Sequence, residues 1–219
     1  VVAVDHGDHH VAQAHPLGYL LLNDPGSSGC LSFSPSPDES PRPLESREFA
    51  LAELLLAAAA VEAELPVDRE LLKALHPGTG GARPKCNLVE DGAVWIAKFP
   101  SAGDKRISVP RLEHATMCLA RLCGVHAAET KLRVVNGRDV CLVRRFDRYS
   151  ENGRIYRRGF LSARTVFFDD PAFASVGTGS YPRLSRWLPR FGAGGDDRRQ
   201  LFRRLVFNVA VRNDDDHEL

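Results

Sequence analysis

Two periodicities alternate along this chain of 219 residues. From Ser46 to Leu65 apolar side chains recur at steps of three and four, placing Leu51, Leu54, Leu55, Ala58 and Val61 on one face. That spacing predicts an amphipathic helix with Ser46 as N-cap, high propensity across Ala57–Ala60, and a stop at Pro66. Val67–Leu75 predicts a second, shorter helix. Val94–Phe99 then reads as a strand with one lysine, Lys98, inside it. Pro110 opens a third helix, with Glu113 in its first turn, Met117, Ala120 and Leu122 on its apolar side, and Gly124 as its end. Lys131–Val135 and Asp139–Phe146 flank Asn136-Gly137, the dipeptide preferred in tight two-residue hairpin turns. Phe160–Phe168 is apolar, and Gly177–Tyr181 reads as loop. A last helix from about Arg198 places Leu201, Phe202, Leu205, Val206 and Val209 on one face and runs into Val211–His217.

The first 45 residues look different. Gly18–Asn23 reads as a strand, Asp24-Pro25-Gly26 as a turn, and Ser34–Pro43 as a Pro/Ser linker unable to bury surface. His6, Asp8, His9 and His10 are of types that ligate zinc, but adjacent histidines on a polar terminus read better as a frayed end.

Composition narrows the class. The chain is 43% hydrophobic and 26% charged, as expected of a globular protein, and it has no apolar run of about 18 residues that would span a membrane. The net charge of +1 hides an asymmetry: residues 1–75 hold four Lys/Arg against twelve Asp/Glu, and residues 76–219 hold 25 against 16. A basic second part suits an anionic ligand such as a nucleotide or nucleic acid, or is ordinary solubilising surface. The seven arginines of Arg183–Arg204 raise the same choice. Leu184, Trp187, Leu188, Leu201 and Phe202 interleave with them, so solvated helix faces are the preferred reading over nucleic-acid binding. Five cysteines with no C-x-x-C imply reduced thiols and a cytoplasmic location.

The candidate chemistry starts at His76–Pro100. Gly78, Gly80 and Gly81 form a loop whose backbone N–H groups can approach phosphate oxygens, and Lys85 and Lys98 follow on extended chain. Alone this is an ordinary turn with solvated lysines. Glu113 on the next helix adds the partner that positions a phosphate-binding lysine in kinases. Asp214, Asp215 and Asp216 follow an apolar helix, where a loop aspartate can act as a base toward a hydroxyl; a solvated terminus or a cation site are the alternatives. Glycine loop, strand lysine, helix glutamate, hairpin and loop aspartate, in that order, is the sequential logic of a protein kinase.

The residues carrying that order resemble the HipA family, the serine/threonine kinases that act as toxins of bacterial toxin–antitoxin pairs. The resemblance rests on Gly80–Lys85, Ala97–Pro100, Glu113-His114-Ala115, Arg145–Arg148, and Phe207-Asn208-Val209 with Asn213 and Asp215–His217. Leu161–Arg164 and Tyr181–Leu184 also fit, and the likeness runs from about Gly18 to Leu219. It implies an α/β (α+β), protein-kinase-like two-lobe fold. Residues 1–45 would be an N-terminal remnant, 46–75 a helical connector, 76–146 an ATP-binding N-lobe with a mixed antiparallel sheet, and 147–219 the start of a helical C-lobe. Gly80, Gly81, Ala82, Arg83, Pro84 and Lys85 would form the nucleotide-phosphate loop, and Lys98, paired with Glu113, would hold ATP phosphate. Arg144, Arg145 and Phe146 would be the hinge beside adenine, Asp215 the catalytic base, and His217 would help close the site. A HipB-like DNA-binding antitoxin would be the partner, DNA being reached only through it, and an aminoacyl-tRNA synthetase the protein substrate.

Two departures shape the expectation. The family's magnesium-binding Asn lies five residues beyond the catalytic Asp, which here would be position 220, past Leu219. A serine that some members autophosphorylate is replaced by Gly78, with Thr79 as the nearby hydroxyl. Two functions therefore compete: a HipA-like kinase using ATP and Mg²⁺, and a catalytically dead kinase-like fragment that binds nucleotide or antitoxin. For this exact polypeptide the second ranks first. A truncated C-lobe would leave Leu205, Val206 and Val209 partly exposed.

Overall fold

The computed structural model describes residues 26–32, 36, 38, 50–75, 83–104, 106–168, 181–191 and 194–216. The expected strand at Gly18–Asn23, the histidines of residues 1–15, Gly78–Ala82 and His217 lie outside them.

Helix α1 spans Leu51–Glu62. Its first described turn is closed by the Ala50 N–H, which donates to Glu53 Oε2 at 2.9 Å. It ends three residues before the expected Leu65 because Glu64 takes a left-handed φ of 57°. That turn lets the Leu65 N–H reach the Ala60 carbonyl at 2.9 Å and satisfies the last carbonyls before Pro66 arrives. Helix α2, Arg69–Ala74, is capped by Asp68, whose side chain accepts from the Glu70 and Leu71 N–H groups.

Strands β1 (Lys85–Glu90), β2 (Ala93–Lys98), β3 (Thr130–Val135) and β4 (Arg138–Arg144) form a sheet in the order β1-β2-β4-β3, with every pairing antiparallel. The β3–β4 turn is the expected one: Asn136 and Gly137 both have positive φ, 49° and 74°. One sheet face carries Cys86, Trp95, Ala97, Val140 and Leu142 onto Leu54, Leu55, Ala58 and Leu75, with Phe99 at the end of the same core. Burying a leucine or phenylalanine of this core contributes roughly 1.5–3 kcal/mol.

Helix α3, Val109–Leu122, covers the opposite face. It begins one residue before Pro110, with Ser108 accepting from the Arg111 N–H, so Glu113 falls past the first turn. Leu122 is 85% exposed, not on the apolar side as expected. It lies two residues, about 200° of helix, from the buried Ala120 and so points away from it.

Strands β5 (Arg148–Glu151) and β6 (Arg154–Arg157) form a separate hairpin. Helix α4 (Ala163–Phe168), helix α5 (Tyr181–Trp187), a 3₁₀ turn (Leu188–Phe191) and helix α6 (Gly195–Ala210) follow. Helix α6 starts earlier than Arg198 because Asp197 reaches back to the Gly194 N–H at 2.9 Å. Its anchor is polar: Gln200 Nε2 donates to the Gly124 carbonyl at 3.0 Å and Gln200 Oε1 accepts from the His126 N–H at 2.9 Å. Phe202, Val206 and Val209 stay exposed and Leu205 is half-buried. Arg183 is buried, against the reading that put all seven arginines on solvated faces.

Candidate functional site

Lys98 closes β2, and the sheet register sets Lys85 of β1 directly opposite on one side and Cys141 of β4 on the other. Directly paired residues share a face, so all three face the side covered by α3. That helix is fixed to the sheet by polar contacts. Arg111 grips Asp139 of β4 with bonds of 2.8 and 2.7 Å, and His114 Nδ1 meets Thr130 Oγ1 at 2.9 Å. One helix position before His114, Glu113 Oε1 accepts from Lys98 Nζ at 2.5 Å. The pair is half-buried, with side chains 36% and 28% exposed, so Lys98 is oriented and still open to a ligand.

The two lysines lie close enough to repel each other. Burial, then the neighbouring Lys98 charge, lower the Lys85 ammonium from its ordinary value, partly offset by Glu113. A bound anion would relieve that repulsion. The Cys141 thiol beside them is pushed up to about 12, mainly by burial, so it stays protonated and inert.

Arg83 and Pro84, which lead into β1, are tied to the segment after β2. Arg83 Nη1 donates to both carboxylate oxygens of Asp104 at 3.0 Å, and Asp104 also accepts from the Ser101 N–H at 3.0 Å. The Pro84 carbonyl accepts from the Phe99 N–H at 3.3 Å, extending the β1–β2 ladder past Lys85.

At Arg144–Arg148 three side chains turn in different directions. Arg144 is exposed and pairs with Glu129 at 3.0 Å, and Phe146, also exposed, meets Phe160 edge to face at 5.0 Å. Arg145 points inward. Its guanidinium binds Asp147 at 2.8 and 2.7 Å, Asn87 Oδ1 at 2.9 Å, and the carbonyls of Gly26 and Ser27. Arg148 binds the same carboxylate at 2.7 Å and the carbonyls of Ser27 and Gly29 at 2.6 and 3.0 Å. Asp147 also accepts from the Gly29 N–H at 2.9 Å. Burial alone would raise the Asp147 carboxyl, but the Arg145 and Gly29 hydrogen bonds and both guanidinium charges outweigh it and hold it below its ordinary value. Burial, then the Arg145 charge, lower Arg148 to about 10. The Arg145 side chain is therefore a strut joining Gly26 and Ser27 to the end of β4, and its backbone N–H is given to the Val94 carbonyl at 2.9 Å.

Asp215 stands in the loop after α6. Arg212 leaves the helix with a left-handed φ of 53°, and the Asn213 N–H returns to the Asn208 carbonyl at 2.9 Å. Asn213 Oδ1 accepts from the Asp215 N–H at 3.3 Å. The adjacent Asp216 accepts from the Tyr181 hydroxyl at 2.5 Å, and that hydroxyl accepts from Asn208 Nδ2 at 3.1 Å. Burial, then the Asp216 bond, push the phenol up to about 12, so Tyr181 remains the donor.

Lys85, Lys98 and Glu113 thus converge on one sheet face, Arg83 and Arg145 are engaged elsewhere through their side chains, and Asp215 sits on a loop ordered by α5 and α6. Asp147, Tyr181 and Asn208 are structural parts of this region that pattern reading did not single out by role. Their partners lie 118 and 35 residues away for Gly29–Asp147 and Tyr181–Asp216, beyond any local signal.

Among known proteins, a family described as HipA-like C-terminal domain matches residues 78–218. No curated protein matches the chain. Among solved structures, a chain from the HipA, HipB and operator DNA complex of the Shewanella oneidensis MR-1 toxin–antitoxin system superposes with a TM-score of 0.64 at 21% identity. The match covers 95% of this chain and 53% of that one, so the present chain spans about half its length. The likeness is one of fold: a mixed α/β, kinase-like architecture with antiparallel sheets. With the family matching well over half of its residues, the chain belongs to the HipA-like C-terminal domain family.

Proposed function

We propose that this chain is part of a HipA-type protein serine/threonine kinase, the toxin of a toxin–antitoxin pair, that transfers the γ-phosphate of ATP to a protein hydroxyl. The Lys98–Glu113 ion pair at 2.5 Å carries the reading, because it fixes an ammonium on the sheet face that Lys98 shares with Lys85. Residues 76–146 would hold the nucleotide and residues 147–219 would begin the lobe that presents Asp215. Lys98 and Lys85 would bind phosphate oxygens, with the backbone of Gly80–Ala82 lining the same phosphates and Arg144–Phe146 running beside the adenine. His217 would help close the site. Asp215 would take the proton from the attacking hydroxyl as its oxygen bonds to the γ-phosphorus and ADP departs.

Mg²⁺, when bound in such a site, neutralises phosphate charge. Among the described residues no group of three or more His, Cys, Asp or Glu side chains is disposed to hold a metal. The HipB and operator DNA in the Shewanella complex support a HipB-like DNA-binding antitoxin as partner, with DNA reached only through it. An aminoacyl-tRNA synthetase is the first substrate to try. No helix among the described residues is long and apolar enough to cross a membrane, and a cytoplasmic location goes with this reading.

The test is transfer of labelled γ-phosphate from ATP to protein by the full-length gene product. Lys98→Ala and Asp215→Asn should each reduce transfer by about 10²-fold or more. Transfer retained in both variants overturns the kinase reading. Nucleotide binding without transfer by the unmutated protein would leave a binding module.

A further inference from the structure

We infer that Tyr181 is a positioning residue for the loop bearing Asp215, acting through a relay of hydrogen bonds that joins the start of α5 to residues on both sides of Asp215. The inference rests on the kinase reading for its catalytic consequence but on geometry for the relay itself.

The loop has two anchors. At its start, Asn208 takes the Asn213 N–H on its backbone carbonyl at 2.9 Å and Asn213 Nδ2 on its side-chain oxygen at 3.4 Å. At its far side, Asp216 Oδ2 takes the Tyr181 hydroxyl at 2.5 Å. Tyr181 closes the circuit by accepting from Asn208 Nδ2 at 3.1 Å. Asp215 lies between the anchors, its N–H held by Asn213 Oδ1 at 3.3 Å.

Two consequences follow from the chemistry. A phenol that donates to one residue and accepts from another fixes both at once, and a bond to a carboxylate is the stronger kind. Engaging Asp216 also ties the residue next to Asp215 to the start of α5. The backbone needs such support, because Arg212 enters the loop in a left-handed conformation that favours glycine. Asp215 itself is exposed, so burial in a core does not fix its position.

The test uses hydrogen exchange and kinetics on the full-length gene product, with Mg²⁺-ATP as the kinetic probe. Tyr181→Phe removes only the hydroxyl, and Asp216→Asn weakens the same bond from the other side. Amide exchange of residues 213–216 should rise about tenfold in each variant and no further in the double variant, with residues 198–206 of α6 unchanged. In turnover, Tyr181→Phe should lower kcat about tenfold and leave KM for ATP unchanged. Unaltered exchange over 213–216 overturns the relay. A rise in KM with kcat preserved overturns the positioning role. If the unmutated protein turns over no ATP, the kinase reading and the catalytic half of this inference fall together, while the exchange result still decides the relay.

Discussion

Asp147→Ala should be among the most damaging single substitutions in the chain. The carboxylate is shared by two guanidiniums whose side chains are each 1% exposed, and its own side chain is 4% exposed. Removing one member of a buried ion pair costs about 3–5 kcal/mol, because the remaining charge is left without a partner. Here two charges are stranded, so the upper end of that range applies. Asp147→Asn keeps one acceptor oxygen and loses the charge, which gives a smaller cost of about 1.5–3 kcal/mol. Replacing all three residues by apolar ones should not restore stability, because the carbonyls of Gly26, Ser27 and Gly29 would lose donors they now have. The assay is urea unfolding followed by the fluorescence of Trp95 and Trp187, with amide exchange at residues 26–32 as the local readout. The dependence on pH has a definite sign. Asp147 is held below its ordinary value in the fold, so its contribution is complete above the unfolded carboxylate value of about 3.9 and is lost as pH falls through the lower folded value. An Asp147→Ala protein within about 1 kcal/mol of the parent would refute the reasoning.

Three further outcomes are expected. Phe99→Ala, at a side chain that is 1% exposed between the sheet and α1, should cost about 3–5 kcal/mol in the same unfolding assay; a loss under about 1 kcal/mol would mean the core closes differently. The Asp139 carboxyl, held down to about 2 by the Arg111 and Ser108 hydrogen bonds, should titrate near that value by NMR, and Arg111→Ala should return it toward 3.8. Because that value is depressed, the Arg111–Asp139 link should persist at neutral pH and weaken only as pH falls toward 2.

Much of the sheet and its turn was legible because the signals are local. Asn136-Gly137 dictates a hairpin whatever surrounds it, and the Leu54–Ala58 spacing dictates a buried helix face. The Lys98–Glu113 pair was legible by another route: strand lysine and helix glutamate occur in kinase order, and the α3 contacts to Asp139 and Thr130 bring them together. What was not legible has physical reasons. The inward turn of the Arg145 side chain depends on distant partners, here Gly26 and Ser27, in a stretch whose composition suggested only a remnant and a linker. Leu122 was assigned to an apolar face that a step of two residues cannot share with Ala120. Tyr181 stood in a motif with no role, since nothing near it in the sequence announces Asp216. The glycine loop at 78–82 and His217 lie outside the described residues.

The central claim is that Lys98, held by Glu113, grips a nucleotide phosphate. Isothermal titration of ATP and of adenosine into the unmutated protein and into Lys98→Ala addresses it directly. Losing a charge-assisted hydrogen bond of about 1.5–3 kcal/mol should weaken ATP binding roughly ten- to a hundredfold. Adenosine, which has no phosphate, should bind both proteins alike. Equal ATP affinity in the two proteins, or no ATP binding to the unmutated one, would contradict the account.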